Sequence, residues 1–148
     1  MYNYISEIVK NKIYISDLSC ARDMDLLKKH NIKEILCLIK NPKHNIDKYK
    51  ENDIIFHSVK MADSVDTELS EYFEYTNKII DDAIKKKYSI LVHCFAGISR
   101  APSIVIGYLI SKGQTFDEAF DLVKKQRDCV SPNIGFLWQL ETYAEKNQ

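Results

Sequence analysis

Much that would redirect the reading of this sequence is missing from it. Glycine and proline number only four and three in 148 residues. No repeat, low-complexity tract or Pro/Gly/Ser linker interrupts the chain, so no internal domain boundary is expected. Neither charge is in surplus, since 21 Lys and Arg balance 21 Asp and Glu. That balance gives no electrostatic reason to expect nucleic acid or an anionic membrane as a partner. No apolar run approaches the roughly 20 residues that cross a bilayer. The opening MYNYISEIVKNKIYIS has no apolar core behind a basic segment, and the closing YAEKNQ lacks a prenylation cysteine. Cys20, Cys37, Cys94 and Cys129 are scattered, with no Cys-x-x-Cys spacing. Neither a zinc site nor a dithiol redox site is therefore expected, and no metal or other cofactor is called for. Thiols in a chain without an export signal are expected to stay reduced in the cytoplasm, with nuclear entry left open by the small size.

What is present is an ordinary soluble balance, 45% apolar and 28% charged, in a chain long enough for one real core. Residues 12–16 alternate as a short strand, and 19–31 carry helical spacing through Ala21, Met24 and Leu27. IKEILCLI and DIIFHSVK are β-branched runs that predict two strands, with residues 40–52 as a loop between them. Residues 68–87 follow as a helix with Leu69, Phe73, Thr76, Ile80 and Ile84 on one face. SILVHC is a buried strand, and three helices follow over 100–113, 115–127 and 131–146. Thr115 or Asp117 is expected to cap the second of these. The pattern predicts a single α/β domain over residues 1–148, with a mostly parallel central sheet flanked by helices.

The chemistry concentrates in ILVHCFAGISRAPSIVIGYLI. A strand stops at Cys94, a loop contains Gly97, and a helix begins near Ser99 to Pro102. Proline suits a first helical turn, where its missing N–H is no loss, and Ser99 is a candidate cap. Backbone N–H groups at such a junction make an anion seat. Arg100 is unfavourable at a helix start on dipole grounds alone, but a bound oxyanion reverses the sign. A guanidinium then takes two phosphate oxygens in a fork. The same dipole and cation favour a thiolate at Cys94. Phosphate binding with attack of sulfur on phosphorus is the reaction these residue types suggest. A nucleotide P-loop is excluded, because no Gly-Lys-Ser/Thr follows Gly97.

VHCFAGISRAPSIVIGYLI resembles the signature loop of the cysteine-based protein tyrosine phosphatases, most closely their dual-specificity branch. Residues 13–38 look like that branch's opening strand, helix and second strand. MADSVDTELSEYF is similar to its general-acid loop, and VSPNIGFLWQLETY to its closing helix. The resemblance implies a protein tyrosine phosphatase-like fold and a phosphorylated protein as substrate, with no metal. It implies Cys94 as nucleophile, Arg100 as phosphate clamp and Asp63 as general acid, with Asp66 the competitor in the same loop. Phe95, Ala96, Gly97, Ile98 and Ser99 would offer backbone N–H groups, Gly97 at a special backbone angle. His93 would orient the backbone or the Cys94 sulfur. Cys20, Cys37 and Cys129 are expected to be buried packing residues; Cys37, on a central strand, is a weak candidate to trap the nucleophile as a disulfide as thiols of some relatives do, since its spacing does not clearly match theirs.

The sequence departs from that family at Ala101. Most members carry Ser or Thr there, whose hydroxyl helps sulfur leave the phosphoenzyme. Arg-Ala-Pro is similar to the phosphatases of regenerating liver, and it implies a slow second step. A phosphoprotein-binding pseudophosphatase with little turnover is the alternative.

Overall fold

The computed structural model describes residues 4–40 and 43–147. Strand β5 (Ser89–His93) has all five residues buried, as a strand covered on both faces requires. It is the middle strand of a five-stranded sheet of order β1-β2-β5-β3-β4, in which β1 is Ser6–Val9, β2 Ile13–Ser16, β3 Ile32–Cys37 and β4 Ile55–Ser58. β5 pairs in parallel with both β2 and β3, β3 pairs in parallel with β4, and β1 turns back antiparallel on β2. Ser16 and Cys37 both lie opposite His93 in register. Three carboxyl-terminal strand ends therefore meet just below Cys94, the edge where parallel sheets bind ligands.

The two-residue strand period is hidden in β5 because both its faces are apolar. Ile90 and Val92 join Ile13, Ile15 and Leu36 on one face, while Leu91 joins Tyr14 and Ile35 on the other. Over the first face lie α4 (Ser70–Lys85), α5 (Arg100–Ser111), α6 (Phe116–Gln126) and α7 (Ile134–Lys146), and α5 packs against the other three. Residues of α1 (Leu18–Ala21), α2 (Met24–Lys29) and α3 (Ile46–Glu51) cover the second face. Cys94 belongs to the first cluster, while Cys37 and His93 continue the alternation that points to the second.

Several local expectations need correction. The single helix over 19–31 is two helices, because both Asp17 and Asp23 act as N-caps, accepting from the N–H groups of Cys20 (2.8 Å) and Leu26 (3.2 Å). The loop over 40–52 contains α3, capped by Asn45, whose side chain accepts from Lys48 N–H. β1 carries no signal strong enough to stand out from the polar opening. Of the two expected caps of α6, Thr115 is the one used, through a reciprocal capping box with Glu118.

Candidate active site

The loop from Cys94 to Ser99 is shaped by what holds its carbonyls. Cys94 O accepts from His93 Nδ1 (3.1 Å) and Phe95 O from Leu18 N–H (3.0 Å). Ala96 O and Gly97 O accept from Arg127 Nη2 (3.3 Å) and Nε (2.8 Å). Ile98 O takes Ser131 N–H (2.8 Å), and Ser99 O takes the Ser103 hydroxyl (2.7 Å). Six successive carbonyls are thus tied to the scaffold. A trans peptide points its N–H opposite its C=O, so the N–H side of the loop turns toward the thiol. Gly97 N–H donates to Cys94 Sγ at 3.2 Å. Gly97 has φ +70°, and a Cβ there would lie 2.8 Å from Ser16 O and 2.6 Å from Arg127 Nη2. Only glycine fits without displacing backbone.

Arg127 is the residue that sequence reasoning missed most completely. It follows α6, is wholly buried, and its Nη1 also donates to Ser6 Oγ at 3.0 Å. A buried guanidinium serving several acceptors is stable only when each donor finds its partner. Nothing in the local pattern of KKQRDCV distinguishes it from a surface cation.

Above the thiol, Asp63 Oδ1 accepts from Ser99 Oγ (2.8 Å) and Asn133 Nδ2 (2.9 Å). Asn133 N–H donates to Ser99 Oγ (3.0 Å), and Asn133 Oδ1 caps α7 by accepting from Phe136 N–H (2.9 Å). One residue therefore starts a helix and holds a carboxylate. Ser99 occupies the N-cap position of α5 but makes no side-chain cap bond; its hydroxyl goes to Asp63 instead, which corrects the capping expectation. Arg100 Nη1 donates to Met61 O at 3.0 Å, joining the cysteine loop to the segment that carries Asp63. Asp63, Cys94, Ser99 and Arg100 line one pocket of about 280 Å³. Asp66 lines a neighbouring cleft with Trp138 and Tyr143.

His93 is wholly buried, and burial pushes its imidazole down to about 3. It is neutral at physiological pH, and its Nδ1–H donates to Cys94 O. Burial raises Cys20 to about 12 and also raises Cys37. Cys129 is half-buried, not buried as expected. It lies in the turn between α6 and α7, where the chain is at the surface.

A cysteine on a central strand end, six residues before an arginine that opens a helix, defines a cysteine-based phosphatase loop. Comparison with known proteins makes the class specific. The family model described as the catalytic domain of dual specificity phosphatases matches residues 13–146, and the chain belongs to that family. It is 33% identical over 147 residues to dual specificity protein phosphatase 1 of Arabidopsis thaliana, covering 97% of this chain and 71% of that one. The crystal structure of DUSP15 matches with a TM-score of 0.87 at 26% identity, covering 97% and 88% of the two chains. The human tyrosine phosphatase-like serine/threonine/tyrosine-interacting protein matches at 0.83 with 28% identity, covering 98% of each. No helix among the described residues is long and apolar enough to cross a membrane.

Proposed function

We propose that residues 1–148 act as one catalytic domain that hydrolyses phosphotyrosine and phosphoserine or phosphothreonine in proteins through a cysteinyl-phosphate intermediate. The observation that carries this is the convergence of Asp63, Cys94 and Arg100 on one pocket over a loop whose carbonyls are all turned away. Cys94 Sγ attacks phosphorus and the bond to the leaving oxygen breaks. Arg100 exchanges Met61 O for phosphate oxygens, and the loop N–H groups stabilise the equatorial charge. Asp63 gives the leaving oxygen its proton. Both hydrogen bonds to this carboxyl end on Oδ1, which leaves Oδ2 to carry that proton. In the second step Asp63 takes a proton from water as it attacks phosphorus, and the S–P bond breaks to return thiolate and inorganic phosphate.

The reading is tested by following aryl phosphate hydrolysis from the first turnover at known enzyme concentration, with Cys94→Ser as blank. Many equivalents of product, abolished in the variant, are expected after an initial burst. Product that stops at one equivalent would favour the second reading, a phosphoprotein trap, for which the absence of a hydroxyl at buried Ala101 is the supporting observation.

A further inference from the structure

Behind the cysteine loop, on the face away from Cys94, three potential ligands converge from three elements. Cys37 ends β3, His93 ends β5 directly opposite it in register, and His44 precedes α3. Their ligand atoms all lie within 4.8 Å of one another. None shares a sequence motif with another, which is why no spacing betrays them.

The proton arrangement around the two imidazoles is fixed from both ends. Cys94 O is only an acceptor, so His93 Nδ1 carries the proton at their 3.1 Å contact. Its Nε2 is then a lone pair. At the other end, Ala21 O lies 2.6 Å from the Tyr49 hydroxyl and takes its single proton. His44 Nδ1, 2.8 Å from that hydroxyl, must donate to it, so the His44 Nε2 is also a lone pair. These two lone pairs face each other at 3.1 Å. Facing acceptors with no hydrogen between them repel, and a cation between them removes the repulsion.

We infer that Cys37 Sγ, His44 Nε2 and His93 Nε2 form a binding site for a divalent cation of the zinc class. The thiol and two imidazoles are borderline-soft ligands, the set that favours zinc over magnesium or calcium. Tetrahedral zinc with bonds of about 2.0–2.1 Å holds two nitrogens about 3.3 Å apart, close to the separation found. The other nitrogen of each ring is already engaged, by Tyr49 and by Cys94 O, which is the outer support that orients metal-bound histidines. His44 also lines a surface pocket of about 420 Å³ together with Lys40, Phe56, Ser58 and Lys60. Binding replaces the Cys37 S–H bond by a metal–sulfur bond and releases that proton to solvent; water fills the fourth position. No oxidation is involved. The site uses none of the groups that meet substrate.

Cobalt(II) is the probe, in the Cys94→Ser protein so that the reactive thiol contributes nothing. One equivalent is expected to bind with a near-ultraviolet sulfur-to-cobalt charge-transfer band and visible bands of four-coordinate intensity, both bleached by zinc. Cys37→Ser abolishes the charge-transfer band. His44→Ala, a change at a half-buried position that leaves the sheet intact, weakens binding by at least about 10–100-fold, as does Tyr49→Phe through the outer support. Zinc should also raise the thermal midpoint of the parent but not of His44→Ala. No stoichiometric cobalt or zinc binding, or an unchanged spectrum in Cys37→Ser or His44→Ala, would overturn the assignment. Hydrolysis of aryl phosphate by the wild-type chain is scored separately, so loss of either reading leaves the other standing.

Discussion

Ala101 is wholly buried in the first turn of α5, where most of the family carries a hydroxyl. The next hydroxyl along the helix cannot substitute for it, because Ser103 Oγ is committed to Ser99 O at 2.7 Å. The described hydrogen bond to Cys94 sulfur comes from Gly97 N–H. Ala101→Ser is expected to raise steady-state turnover about 10–100-fold, the worth of one hydrogen bond to a charged group, and to shrink the burst. An equal or lower rate, with the burst unchanged, would show that the second step is not limiting. At this scale the sequence was most legible where a motif concentrates chemistry: Cys94, Gly97 and Arg100 could be read from one short loop. Asn133 and Arg127 could not. Each acts on residues 30 or more positions away, and a side chain that serves a distant backbone leaves no periodic trace.

Among the elements, α7 reaches the segment that carries Asp63 at Gly135. A Cβ there would stand 2.3 Å from Val65 O and 2.7 Å from Val65 Cα, both backbone. Gly135→Ala must therefore push the segment that carries Asp63, and a displacement of about 1 Å costs a reaction on the order of 100-fold. The expected result is a fall in kcat that is steeper for phenyl phosphate than for nitrophenyl phosphate, since the poorer leaving group depends more on the acid. The gain in helix propensity, about 1 kcal/mol, keeps global stability near that of the parent. Elsewhere α4 is fastened to α5 by Asp81, which accepts from Lys112 Nζ (2.9 Å) and the Tyr108 hydroxyl (2.7 Å). The Lys112 bond first, then that of Tyr108, holds the Asp81 carboxyl below its usual range. With the folded value below the unfolded one, this contribution is complete above about pH 4 and is lost as pH falls through the folded value. Asp81→Asn should cost less than about 1 kcal/mol at neutral pH, as exposed pairs do, and should flatten the acid limb of stability in urea titrations below pH 4. Helices with a continuous apolar stripe were legible, α4 to α7 among them. The break that divides residues 18–29 into α1 and α2 was not, nor was α3, since four- and six-residue helices set by Asp and Asn caps are shorter than any stripe.

For the molecule as a whole, the order of apolar runs was enough to give the layered α/β plan, because a buried strand flanked by parallel neighbours reads as an unbroken apolar segment. The antiparallel β1 escaped, being a half-polar edge of four residues. What the layers alone do not supply is the tie between them, and that is Arg127. Arg127→Lys keeps the charge but loses the planar fork, leaving Gly97 O, Ala96 O and Ser6 Oγ short of donors. A loss of about 3 kcal/mol or more in urea unfolding is expected, with turnover falling as the loop loosens; an unchanged midpoint would remove Arg127 from the scaffold. The same tie imposes an order in time. β2 must wait for β5, as Ile13 pairs with Ile90, and such distant pairings are slow to form. Arg127 reaches the ribosomal exit 30 residues after Gly97, a delay of about 2–6 s at usual synthesis rates. Until then Ala96 O and Gly97 O lack their anchor, so a nascent chain already carrying Cys94 does not yet have its finished cradle.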